Sequence, residues 1–189
     1  MLQALDPQST TSAEVLQSLP RMSDEARAQL QPDINVRAYV DKLCGAGMYV
    51  DVVDVLAQLL PKPYAVAWGY ECLLDMAQQV EPDPSERAAL SVVKRWLSDP
   101  SEDNRRAAVE LADRLGLKGA GAWLAAAAGW TSGHMLPAGQ AEVPVAPTLT
   151  ADAVATSLKL AAVRDAGQFD ARLQSFVQRA FAVFAPAAT

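Results

Sequence analysis

The chain has 189 residues, of which 51% are hydrophobic, enough for one domain that buries a core without disulfides or metals. Its net charge of −6, from 16 Lys and Arg against 22 Asp and Glu, argues against the concentrated basic surface that nucleic acid or an anionic membrane requires. Thirty-six residues are Ala and only four are Phe, a composition that favours closely packed helices.

Prolines at 7, 20 and 32 punctuate the first 32 residues. Two short helices are predicted there, over 12–19 and 24–30, the second capped by Ser23 with acids in its first turn. From residue 33 the pattern is regular. Asp33 is expected to cap a helix with Val36, Val40, Leu43 and Cys44 on one face. A second helix carries Val52, Leu56, Leu59 and Leu60 and is expected to end at Pro61 and Pro63. A third runs over 64–80. Asp83 or Ser85 is expected to cap a fourth (Ala89, Val93, Trp96, Leu97), and Ser101 a fifth (Ala108, Leu111, Ala112, Leu115) that stops at Gly116. The sixth covers 119–130. Trp68, Trp96 and Trp123 recur at spacings of 28 and 27, so residues 33–130 read as three helical hairpins. They fit either a short solenoid-like array or an irregular bundle.

Residues 131–149 hold three prolines and two glycines and read as a long connection, extended around VPVAP. Thr150 is expected to cap a seventh helix that ends at Gly167. The eighth has Phe169, Leu173, Phe176, Val177, Ala180 and Phe184 at helical spacing, the strongest amphipathic signal in the chain. The fold class is therefore all-α with about eight helices. The expected divisions are an N-terminal segment 1–32, a helical-hairpin core 33–130, a Pro/Gly-rich loop 131–149 and a C-terminal hairpin 150–185 packed on the core.

Chemical constellations are sparse. Cys44 and Cys72 lack CxxC spacing and read as small apolar side chains. His134 is the only histidine, which excludes His-rich zinc sites. GWTSG at 129–133 has Thr131 where a hydrolase nucleophile elbow needs Ser, and no strand precedes it. Arg105 and Arg106, with Arg95, Arg114 and Lys118, lie among six acids and read as a mixed exposed face with pairs such as Arg106–Glu110. Asp51 and Asp54 stand at i, i+3, and Glu71 and Asp75 at i, i+4. Residues 1–85 carry 12 acids and 5 bases, and residues 86–189 carry 10 and 11. The acidic front half predicts a protein partner with a basic surface. The expected partner-binding residues are Asp51, Asp54, Glu71, Asp75, Trp130 and His134. No catalytic residue, cofactor or metal is predicted.

The N-terminus has neither the basic region nor the apolar run of a signal peptide. The longest apolar run, 119–130, is far short of the ~20 residues of a membrane span. The expectation is a cytoplasmic protein that does not insert into membranes.

Three segments carry a family resemblance: AYVDKLCGAGMYVDVVDVLAQLLPKPYAVAWGYECL at 38–73, AAVELADRLGLKGAGAWLAAAAGWTSGHMLP at 107–137 and VPVAPTLTADAVATSLKLAA at 143–162. They resemble a bacterial family of unknown function made of small, Ala-rich helical proteins. The resemblance implies genes near type VI secretion clusters and supplies no catalytic residues. The expected function is a non-enzymatic interaction module, an adaptor or accessory protein of a secretion system. A secretion effector or its immunity protein, and a carboxylate-based enzyme, are the alternatives.

Overall fold

The computed structural model describes residues 16–136, 139 and 143–184, with residues 183 and 184 described as backbone only. Among them are nine α-helices and one 3-10 turn. The helices are α1 (Asp24–Ala28), α2 (Val36–Gly45), α3 (Tyr49–Leu59), α4 (Lys62–Gln79), α5 (Pro84–Ser98), α6 (Glu102–Arg114), α7 (Ala120–Gly129), α8 (Leu149–Val163) and α9 (Phe169–Phe184). No helix among the described residues is long and apolar enough to cross a membrane.

Local chemistry sets most of the helix starts. The Ser23 hydroxyl accepts from Ala26 N, and the Asp83 carboxylate accepts from Ser85 N and Glu86 N. Several boundaries differ from expectation. Helix α8 ends at Val163, before Gly167, which lies in the 3-10 turn Ala166–Gln168. The cap of α2 is Asn35, whose side chain accepts from Ala38 N at 2.8 Å, not Asp33. Pro63 lies in the first turn of α4, where its missing N–H costs nothing. Thr148 holds the N-cap position of α8, and the Thr150 side chain is buried inside the fold instead. Ser101 does occupy the α6 N-cap, but it makes no cap bond. At the far end of α6, Gly116 N donates to Asp113 O and Leu117 N to Ala112 O, the paired bonds of a Schellman stop. Of the helix expected over 12–19, residues 12–15 lie outside the described residues, as do residue 185 of the C-terminal hairpin and the Phe184 side chain.

The centre of the bundle is the pair α7 and α8. Helix α7 packs against α4, α5, α6 and α8, and α8 packs against α3, α4, α7 and α9. Each repeat of a solenoid touches only its neighbours. Contact between α8 and α3, five helices apart, makes this an irregular closed bundle. Every residue of α7 except Trp123 is buried, as expected for a helix apolar on all sides. Small residues let its neighbours approach closely. A Cβ at Gly121 would lie 3.0 Å from the Ala89 Cβ, and one at Gly129 would meet Val109 Cγ2 at 2.5 Å and Val109 N at 2.9 Å. Buried polar tethers complete the packing. The Ser157 hydroxyl donates to Ala120 O at 2.8 Å, tying α8 to the start of α7, and the Trp68 indole donates to Phe176 O at 2.7 Å, tying α4 to α9. Cys72 is buried and Cys44 half-buried, both as free thiols.

These contacts set two glycine substitutions apart. Gly129→Ala forces a methyl against the α6 backbone and should cost about 2 kcal/mol or more. At Gly45 a Cβ meets nothing within 4 Å, so Gly45→Ala should change stability by less than about 1 kcal/mol. Chemical denaturation of both variants checks the contrast; equal effects would contradict this packing.

Candidate functional site at the turn after α7

A helix ends with carbonyls that have no partner inside it. The end of α7 is buried, so these carbonyls must find donors elsewhere. Ala128 O accepts from the Thr131 hydroxyl at 2.8 Å. Gly129 O accepts from Arg105 Nη1 of α6 at 2.6 Å. Trp130 O accepts from the Thr150 hydroxyl of α8 at 2.8 Å. Thr131 O accepts from Lys62 Nζ of α4 at 3.2 Å. Three helices therefore reach one turn through their side chains.

Arg105 is the centre of this arrangement. It is only 6% exposed. Its Nε and Nη2 both donate to the Glu102 carboxylate at 2.7 Å, a bidentate fork that fixes the guanidinium plane. Gly133 lies flat against that plane: at φ +69° it suits glycine, and a Cβ there would meet Nη2 at 2.9 Å. Glu102 also accepts from Arg106 Nε at 2.8 Å. Hydrogen bonds from both arginines hold its carboxyl down at about 2. Arg106 thus pairs back to Glu102, not forward to Glu110, and Arg105 is not part of an exposed face. The spacing Arg105, Ala108, Ala112 puts it on the apolar side of α6, a signal present in the sequence that its neighbouring charges obscured.

Beyond the turn the chain runs out and returns. Met135 N donates to Val143 O at 2.8 Å and Val145 N to Gly133 O at 3.2 Å, pairing His134 with Pro144 as a single antiparallel bridge. The section 143–145 is therefore a paired return limb, where an unpaired extended link was expected. The Trp130 indole donates to Met135 O at 2.9 Å, and its ring meets Trp123 edge-on at 6.3 Å. Trp130 is buried, whereas His134 is exposed, as are Leu136 at 36% and Val143 at 40%. An open cleft of about 400 Å3 borders the turn, with Lys62, Trp96, Glu102, Arg105 and Ser132 in its wall.

The other expected site residues fall into two groups. Asp51 accepts from Ser23 N at 2.9 Å. Asp54, buried on α3, pairs with Lys159 of α8 at 2.8 Å. Burial raises the Asp54 carboxyl above its usual range, and the Lys159 ammonium pulls it partly back. On the other side, Glu71 lies 4.0 Å from Arg179 of α9, and Asp75 pairs with the same guanidinium. The structure thus brings Asp51 and Asp54 together on one face and Glu71 and Asp75 on another, and neither group joins Trp130 and His134. No cluster of three or more metal-ligating side chains occurs among the described residues.

Residues 39–184 match the model of the Family of unknown function (DUF6931), and the chain belongs to that family. No curated protein and no solved structure matches it.

Removing Arg105 leaves Gly129 O buried without its donor. Glu102, 51% exposed, falls back on water and Arg106. Arg105→Met should therefore cost about 2 kcal/mol, and Arg105→Lys, which cannot reproduce the fork, should recover less than half of it. The pH dependence follows from Glu102. Its folded value lies below the ordinary 4.5, so its stabilisation is complete above about pH 5 and is lost as pH falls toward 2. Glu102→Gln should flatten the acid limb of a melting-temperature profile over that window; an unchanged limb would contradict the assignment.

Proposed function

We propose that this chain is a non-enzymatic protein-interaction module that presents the loop after α7 on a rigid base. The observation that carries this reading is the pairing of an exposed tip with a braced root. His134, Leu136 and Val143 face solvent, while the turn below them is bonded to α4, α6 and α8. Exposed apolar side chains on a pre-organised support bind with little loss of conformational entropy. Long loops on rigid scaffolds are also where binding residues concentrate.

The polar groups favour binding over acid–base chemistry. The Thr131 hydroxyl is spent on Ala128 O. Asp51, Asp54 and Asp75 each already hold a backbone amide or a cation, which leaves them as tethers more than as general acids or bases. The finer reading, a cytoplasmic adaptor or accessory protein of a bacterial secretion system of the type VI kind, rests on family resemblance. It makes a component of that apparatus the partner to seek.

The test is quantitative capture from the native host with the tagged chain and with Leu136→Asp/Val143→Asp, followed by cross-linking to locate the contact. A specific protein should be recovered by the wild type, cross-linked near 134–145, and lost with the variant while melting is unchanged. An identical set of proteins with both would overturn the loop reading.

A further inference from the structure

Residues 16–23 cross the face formed by α3 and α8. Arg21 forks onto Asp152 of α8, with Nε to Oδ1 at 2.9 Å and Nη2 to Oδ2 at 3.2 Å. Ser23 N donates to Asp51 of α3 at 2.9 Å. Leu16, Leu19 and Met22 are buried beside these bonds. The wall they face holds three carboxylates, Asp51, Asp54 and Asp152, against two cations of its own, Lys159, which pairs with Asp54, and Lys62, whose ammonium donates to Thr131 O. Asp54 acts on Arg21 through its charge as well. The arm therefore contributes a third cation, Arg21, and the apolar side chains of Leu19 and Pro20 to a groove of complementary charge, while Met22 is held by the Tyr39 hydroxyl of α2 and Arg27 of α1 donates to Gln17 O and Leu19 O.

The fit is incomplete. Under Leu19 and Pro20 a cavity of about 160 Å3 remains, walled by Ala57, Leu60, Ala65 and Ala151. Gln58 borders the same cavity. Its Nε2 donates to Asp54 O at 2.9 Å, but its buried Oε1 accepts no hydrogen bond among the described residues. A buried acceptor without a donor is costly. The groove thus offers volume and an acceptor that its own arm does not use. The whole wall lies within the family region 39–184 and the arm precedes it. Arg21 is 61% exposed, so its ion pair sets register more than strength.

We propose that this groove is a docking site for a short segment of a protein partner, turned like residues 16–23, that carries an arginine beside apolar anchors, and that residues 16–23 are its resident competitor. A partner segment with the same charge and a donor for Gln58 displaces the arm and takes its place on Asp152 and Asp51. This groove adjoins the base of the loop after α7 through Lys62, Pro147 and Thr148, but it does not include the exposed tip at His134, Leu136 and Val143, so variants at the tip separate the two readings.

The probe is a fluorescein-labelled peptide of residues 16–28, followed by anisotropy against the full chain. In Leu19→Asp/Arg21→Glu the resident arm is driven off by a buried charge and by repulsion from Asp152. That variant should melt cooperatively and bind the peptide at least about tenfold more tightly than the wild type, because apparent affinity scales with the fraction of empty grooves. Adding Asp152→Asn, which removes the carboxylate without giving the glutamate introduced at position 21 a cation, should weaken peptide binding severalfold, and Leu136→Asp/Val143→Asp should bind as the wild type does. Arg21→Glu alone should speed amide exchange over 16–23. Equal peptide affinity for wild type and double variant would overturn the proposal. So would loss of cooperative melting in the double variant, which would make the arm part of the core, or unchanged exchange in Arg21→Glu. Dimerisation by arm exchange would overturn it as well, since the occupant would then be a second copy.

Discussion

The structure depends on how one buried helix end is satisfied. Helix α7 has a strongly apolar sequence, so it can occupy the centre of a small bundle, but its terminal carbonyls arrive there without partners. Arg105, Thr150 and Lys62 supply the donors from three different helices. Each bond alone contributes about 1 kcal/mol net. Leaving the buried Gly129 or Trp130 carbonyl bare would cost more, and that asymmetry makes the turn a joint of α6, α7 and α8, to which α4 adds the part-buried Lys62 bond. Gly129 and Gly133 are required at this joint because a side chain at either would strike Val109 or the Arg105 guanidinium.

Charge follows a related logic. Read linearly, the chain has an acidic first half, which suggests an outward-facing surface. In the fold, several of those acids meet bases from the second half: Asp54 meets Lys159, and Glu71 and Asp75 meet Arg179. Glu86 at the start of α5 meets Arg164 after α8 in the same way. These pairs tie the early helices to α8 and α9, which arrive last in sequence. Carboxylate density along a chain therefore reports long-range pairing as readily as it reports a partner. The face that carries Asp51, Asp54 and Asp152 holds more acid than Lys159 and Lys62 neutralise, and the N-terminal arm lies across it.

Helix content was legible in the sequence because it depends on local rules. Apolar spacing, the Ser23 and Asp83 caps and the Gly116 stop all act within a turn or two. The boundaries that differ have equally local causes: Asn35 takes the cap position in place of Asp33, and Pro63 sits in the first turn of α4, where proline begins a helix as readily as it ends one. The site was much less legible. That Trp130 is buried while His134 is exposed depends on the bridge between residues 134 and 144, which periodicity does not encode. Arg105 looked like one charge among many because its acceptor, Gly129 O, is 24 residues away. Thr150 looked like a cap because Thr and Ser at a helix start usually are; here its hydroxyl is used by another helix's end.

The most direct test of the joint is site-resolved amide exchange at Met135 and Val145, the two amides that pair the loop limbs. If the turn braces the loop, both amides are protected in the wild type and lose protection together in Thr150→Val, while amides within α2, remote from the joint, keep theirs. Fast exchange of Met135 and Val145 in the wild type, or protection that survives the loss of the Thr150 hydroxyl, would show that the loop does not draw its order from the end of α7.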